Sequence, residues 1–316
     1  MFADIRTACA QVAVQADFVR LNETVLPAYA ATLLTRSTTP HYDTDHHFLG
    51  TPEATLAYVV TLDTVNFGSG YFPYLHKRPG LSGYFMVATC LKERFEASGA
   101  LSTAELQGLD FKNCATLFEQ PLTHPAQTEL MTLFARALGD LGAWLERRFG
   151  GNFAHPTEAA EGSAETLATL LTEMPFFQDV SIYKGVQVPL YKRAQITASD
   201  LALAFDGKSF GAFHDLDTLT MFADNLVPHV LHMDGVLEYT PSLLELLSRG
   251  EQLPPDSPQE VELRAVALHV VERLVDELRR QGEQVSARQL DIALWDRGQA
   301  PRYRTQPRHR TRTVFY

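Results

Sequence analysis

The chain has 316 residues, 45% of them hydrophobic and 21% charged, which is ordinary for a globular protein with a large core. Its formal charge is −11, from 27 basic and 38 acidic residues, the wrong balance for a protein whose main partner is duplex DNA or bulk RNA. No apolar run reaches the roughly 18 residues of a membrane helix, the N-terminus lacks the features of a signal peptide, and Cys9, Cys90 and Cys114 have no metal spacing. A cytoplasmic chain in a reducing compartment, with no membrane partner, is the expectation.

Helical periodicity dominates. Thr51-Pro52-Glu53 opens a helix with a hydroxyl cap, a proline and an acid in the first turn. It runs through Leu56, Tyr58, Val59, Leu62 and Val65 to about Phe67, where Gly68-Ser69-Gly70 ends it. Leu81–Glu96 is the next predicted helix, and Ser102-Thr103-Ala104-Glu105 has the form of a capping box. Glu129–Arg148 is amphipathic and stops at Gly150-Gly151; Ala159–Met174 follows, broken by Pro175.

Strand signals are sparse. Ser181-Ile182-Tyr183 and Val186-Gln187-Val188 flank Lys184-Gly185 and predict a small hairpin before a helix from about Lys192. Val261–Arg280 gives the clearest helical face, and Arg288–Trp295 closes the series. The expected fold is therefore mainly α, with at most this hairpin. Gly150-Gly151 and Pro254-Pro255 are the best candidate boundaries, but composition changes at neither, so one domain over residues 1–316 is expected.

Two segments carry charge of interest. Between Tyr183 and His229, Lys192, Asp200 and Asp224 lie near apolar runs, and buried charge is costly unless paired or used. A buried Lys–Asp pair that only joins helices is the structural alternative. Arg302, Arg304, Arg308, Arg310 and Arg312 stand in a tail with no acid; without them, 22 basic against 38 acidic residues leave −16. A cationic patch on an acidic body suits a phosphomonoester better than a polymer backbone, and a solvated basic terminus is the alternative.

Five segments together resemble a known family: Leu62-Asp63-Thr64-Val65-Asn66-Phe67, Tyr191-Lys192-Arg193-Ala194-Gln195-Ile196, Leu219-Thr220-Met221-Phe222-Ala223-Asp224, Glu260-Val261-Glu262-Leu263-Arg264-Ala265 and Pro307–Tyr316. The chain is similar, over roughly residues 45–316, to the queuosine salvage proteins, the queuosine 5′-phosphate N-glycosylase/hydrolases. Residues 1–44, with N-terminal helices, are less family-specific. The resemblance implies hydrolysis of the N-glycosidic bond of queuosine 5′-monophosphate to queuine and ribose 5-phosphate, without metal or redox cofactor. It also implies a helical fold like that of helix-hairpin-helix DNA glycosylases.

On that reading the residues acquire roles. Cleavage builds positive charge on the sugar, and Asp224 is the fixed carboxylate that stabilises it, by covalent attack or by orienting water; a helix-capping Asp224 is the alternative. Lys192, after Tyr191, pairs with Asp224, orients it or meets the phosphate, while Arg193 points elsewhere; one of these two cations is expected at the surface. Asp200 is a supporting carboxylate or a cap. Asp63 and Asn66 read the guanine-like ring, and Phe67 stacks on it or packs in the core.

His46 and His47 contact sugar or phosphate; no carboxylate at i+3 or i+4 completes a metal motif. His229 lines the pocket, and His309, Arg310 and Arg312 clamp the phosphate. Arg264 is expected to pair with Glu260 at i−4. The expected partner is thus a small nucleotide, not a nucleic acid. The rival readings are a glycosylase acting on nucleic acid, which needs a broad basic face for base flipping, and a non-catalytic binder of a modified nucleoside.

Overall fold

The computed structural model describes residues 1–34 and 41–316; part of the N-terminal stretch 1–44 thus lies outside the described residues. In chain order the elements are α1 (Phe2–Gln15), β1 (Val19–Leu21), α2 (Leu26–Leu34), α3 (Pro52–Thr64), α4 (Gly83–Ser98), α5 (Thr103–Gly108) and α6 (Phe111–Leu117). Next come α7 (Pro125–Phe149), α8 (Ala154–Ala159), α9 (Ala164–Leu171), β2 (Val180–Tyr183), β3 (Val186–Pro189) and α10 (Lys192–Ala204). The series ends with α11 (Leu226–Met233), β4 (Leu237–Tyr239), α12 (Pro241–Ser248), α13 (Pro258–Arg280) and α14 (Ala287–Gly298). The fold is mainly α.

The described chain forms two compact units that interleave along the sequence. One comprises the described residues of 1–40 together with 179–192 and 217–312; the other comprises 41–178, 193–216 and 313–316. Neither Gly150-Gly151 nor Pro254-Pro255 is a border between them.

In the first unit, α13 is the central element, and α1, α2, α11, α14 and β1 pack on it. Its Leu263, Val266, Val270, Val271, Leu274 and Leu278 are all buried, as the periodicity predicts. Glu262, on the same helix, is fully buried and accepts the backbone N–H groups of Asp17 (3.0 Å), Phe18 (2.6 Å) and Val19 (3.0 Å), plus the Tyr183 hydroxyl (2.7 Å). This carboxylate fixes the chain entering β1, which pairs antiparallel with β4, Val19 opposite Tyr239. The β2–β3 hairpin turns through Lys184 and Gly185, both at positive φ (46° and 83°), as a tight primed turn requires.

In the second unit, α7 packs against α3, α5 and α6, and α3 against α4 and α8. Thr51 caps α3 by accepting from the Ala54 N–H (3.3 Å), and Ser102 and Glu105 complete the capping box of α5. The predicted Ala159–Met174 helix is shorter: Gly162 at φ +74° interrupts the chain, and Ser163 caps α9. The larger correction concerns Lys192 and Arg193, both buried where one was expected at the surface.

Arg193 is a clamp. Its guanidinium donates to the carbonyls of Asp63 (3.2 Å) and Thr64 (2.6 Å) at the end of α3, to Phe176, and to Val314 (2.8 Å). It lies 4.8 Å from the centre of the Phe67 ring and 4.6 Å from that of Phe177. A cation at a helix C-terminus is stabilised by the exposed carbonyls there, and aromatic faces replace part of its lost hydration.

Candidate active site: anchored carboxylates in the first unit and an aromatic cluster in the second

Asp224 stands just before α11, half-buried. Its Oδ1 accepts the N–H groups of Leu226 (2.7 Å) and Val227 (3.3 Å), so it does cap the helix, as the structural alternative proposed. Among the described residues its Oδ2 makes no hydrogen bond. One oxygen fixes the group and the other is left for chemistry.

The backbone around it is held at every residue. The Phe222 N–H donates to Asp291 Oδ1 (3.0 Å), and the Ala223 carbonyl accepts from Arg264 Nε (3.0 Å). Asn225 Nδ2 donates to the His309 carbonyl (3.1 Å). Arg264 also forms a bidentate pair with Asp179, at 3.0 and 2.6 Å; the expected contact with Glu260 is present but longer, at 3.4 Å.

Asp179 in turn shapes the start of α10. Its carbonyl accepts the N–H groups of Leu190 (2.9 Å) and Tyr191 (3.3 Å), and its carboxylate accepts that of Lys192 (3.2 Å). Tyr191 is half-buried at φ +46°, a left-handed conformation uncommon for a bulky residue. The three bonds to Asp179 hold that conformation and set where Lys192 begins its helix.

Asp291, on α14, was not anticipated. Burial pushes its carboxyl well above the usual range, the Asp224 charge adds to this, and the Phe222 N–H and Lys192 ammonium oppose it. Asp224 and Lys192 therefore both act electrostatically on Asp291 within the first unit. Sequence spacing gave no cue, because Asp291 sits 67 positions after Asp224.

His229 and His309, both expected at the site, are buried and neutral at pH 7. His229 Nε2 faces the Tyr303 carbonyl at 2.8 Å, and burial lowers its pKa. Burial, then the charge of Arg264, pushes His309 down to about 3, so it brings no cation to a phosphate clamp. Arg310 is half-buried with its carbonyl bonded to the Leu253 N–H (2.8 Å), and Arg312 is half-buried.

The second unit gathers the other expected residues. Asp63 is buried on α3, and Asn66 Nδ2 donates to its Oδ1 at 3.3 Å. Phe67 packs edge-on to Phe134 (5.1 Å, 87°) with Arg193 over its face and is 1% exposed; its observed place is in the core. His46 Nδ1 lies 2.8 Å from Asp43 Oδ2 and the ring stacks on Phe85 at 4.2 Å. His47 Nδ1 lies 2.9 Å from the Asp43 carbonyl and Nε2 lies 2.8 Å from the Tyr84 hydroxyl.

Tyr84 is only half-buried by exposure, yet its surroundings push the phenol well above its ordinary pKa, with Asp200, Asp63, Tyr58 and Tyr42 contributing after burial. Asp200 is half-buried on α10 and acts on Tyr42 and Tyr58 as well. Tyr42, His47, Tyr58 and Tyr84 with the carboxylates of Asp63 and Asp200 thus form one aromatic and acidic cluster. Such a set suits a flat ring with N–H donors. Tyr42 and Tyr84 escaped the sequence reading because neither falls in one of the five segments that carry the resemblance.

These features define a mainly helical protein with a capped carboxylate in one unit and an aromatic, acidic cluster in the other. The chain belongs to the queuosine salvage protein family, whose model matches residues 46–316. It is 38% identical over 318 residues to a Sphaerobacter thermophilus protein named queuosine 5′-phosphate N-glycosylase/hydrolase, covering 99% of this chain and 97% of that one. Proteins of the same name from Dictyostelium discoideum (33%, 84% of this chain and 79% of the relative) and Mus musculus (29%, 94% and 91%) are also similar. Among the described residues no helix is long and apolar enough to cross a membrane.

Proposed function

We propose that this protein hydrolyses the N-glycosidic bond of queuosine 5′-monophosphate, releasing queuine and ribose 5-phosphate for salvage into tRNA modification. Water supplies hydroxide to C1′ and a proton to the departing ring nitrogen. The family membership and the names of the relatives support the reaction class. The observation that carries the mechanism is the Asp224 carboxylate, anchored through Oδ1 to two helix N–H groups with Oδ2 unengaged among the described residues. A negative group held in place before the reaction starts gains stabilising power as the ribosyl cation forms, with no reorganisation cost.

Lys192 pairs with this carboxylate, orients it or meets the phosphate. Asp63 and Asn66 take hydrogen bonds from the guanine-like edge, with His46, His47, Asp200, Tyr191 and His229 as further contacts. The same reading places the protein in the cytoplasm, with a free nucleotide rather than a nucleic acid as partner, and takes the chain as one functional domain related in fold to helix-hairpin-helix glycosylases.

The test is to incubate the protein with queuosine 5′-phosphate and to follow free queuine and ribose 5-phosphate by chromatography. Stoichiometric appearance of both supports the proposal. Tight binding with no free base at any time would assign the protein to the non-catalytic reading.

A further inference from the structure

We infer that Arg308 is the residue that binds the 5′-phosphate of the nucleotide. The inference rests on the hydrolase reading above and deepens it by naming the cation for a dianionic phosphomonoester.

The backbone puts Arg308 beside the Asp224 segment. The carbonyl of the next residue, His309, accepts from Asn225 Nδ2 at 3.1 Å, and Asn225 directly follows Asp224. Two residues on, the Arg310 carbonyl is fixed by the Leu253 N–H at 2.8 Å. Arg308 therefore projects from a segment pinned at its neighbours, which holds its Cα in place.

The side chain is half-buried and makes no hydrogen bond or ion pair among the described residues. Of its tail neighbours, Arg302 pairs with Asp234 and Arg304 is exposed to solvent, while Arg310 shares the half-burial and the lack of a side-chain partner among the described residues; what singles out Arg308 is its place beside the Asp224 segment, whose charge acts on it. A guanidinium partly withdrawn from water without a carboxylate partner is costly. Burial pulls its pKa down, and the charge of Asp224 offsets part of that. Asp224 itself commits Oδ1 to α11.

A phosphate supplies what is missing. Its oxygens match the planar fork of a guanidinium bidentately. A cation near Asp224 also relieves the repulsion between that carboxylate and an arriving phosphate dianion. His309 does not share this task, because it is neutral at working pH.

The experiment compares wild type, Arg308→Gln and Arg308→Lys on queuosine 5′-phosphate and on unphosphorylated queuosine. Both kcat/KM and calorimetric affinity are measured, with a thermal melt to check folding. For Arg308→Gln the expected result is a loss of about 10- to 100-fold on the phosphate, the scale of one charged hydrogen-bond pair, with the nucleoside unchanged. Arg308→Lys should recover part of the loss, and it carries the test if the Gln variant does not fold.

Equal losses on both substrates would show that Arg308 acts through Asp224 or the fold, and an unchanged phosphate preference would show that another group binds the anion; either overturns the inference. Absence of base release by wild type counts against the hydrolase reading alone, since the affinity difference between the two ligands still decides the role of Arg308.

Discussion

The guanidinium of Arg264 grips the Asp179 carboxylate at 2.6 and 3.0 Å and holds the Ala223 carbonyl at 3.0 Å with its remaining Nε–H. Both side chains are buried. One arginine thus fixes the residue before Asp224, and through Asp179 it fixes the turn that starts the helix of Lys192. The two proposed catalytic groups take their positions from one ion pair.

Asp179→Asn should therefore destabilise the protein by about 3–5 kcal/mol, the usual cost of leaving one member of a buried pair uncompensated. Urea denaturation measures it. A double variant, Asp179→Leu with Arg264→Met, should regain part of that stability but not activity, because the anchor on Ala223 is gone. A loss below about 1 kcal/mol for Asp179→Asn would mean the pair behaves as a surface bridge.

His309 predicts a pH dependence. Its folded pKa of about 3 lies below the roughly 6.5 of an unfolded histidine. Between those values the unfolded chain binds the extra proton, so this contribution is complete above pH 6.5 and shrinks as the pH falls. By pH 5 it should have lost about 2 kcal/mol. Urea midpoints of wild type and His309→Gln at pH 7.5, 6 and 5 check this: the wild-type advantage should narrow with acid. A constant difference would contradict it.

Asp291 has the opposite sign. Its folded pKa is raised, so stability is full below the unfolded carboxylate value and declines as the pH rises through the folded one. Asp291→Asn keeps an oxygen to accept the Phe222 N–H and removes the ionisation. The variant should gain on wild type in thermal melts at pH 8 relative to pH 4.5. A gap between the two that stays the same at both pH values would rule out this assignment.

Arg193→Lys keeps the charge but not the planar fork that reaches the carbonyls of Asp63, Thr64, Phe176 and Val314. The expected cost is at least about 2 kcal/mol, since several charge-assisted hydrogen bonds are lost together. Denaturant titration reads it directly. A loss within experimental error would show that a single ammonium satisfies the same carbonyls.

Much of this architecture could be read from local patterns. The cap at Thr51, the capping box at Ser102, the Lys184-Gly185 turn and the apolar stripe of α13 each depend on residues a few positions apart. The β1–β4 pair was missed because two three-residue strands, with Val19 opposite Tyr239, carry no periodicity of their own. Asp224 and Lys192 were legible as charges beside apolar runs. Asp179 and Asp291, which support them, and the separate clamp of Arg193 were not, because each bonds residues that only the tertiary fold brings near. Arg193 shows why an expected surface position failed: helical geometry separates it from Lys192 but does not say that both directions lead inward.

The most direct measurement is the single-turnover release of queuine from queuosine 5′-phosphate by wild type and by Asp224→Asn, with ligand affinity determined alongside. The amide keeps an oxygen for the Leu226 and Val227 N–H groups but removes the charge. Release should slow by about 100-fold or more, the scale of one key electrostatic group, while the nucleotide still binds. Release at the wild-type rate by a folded Asp224→Asn protein would contradict the account.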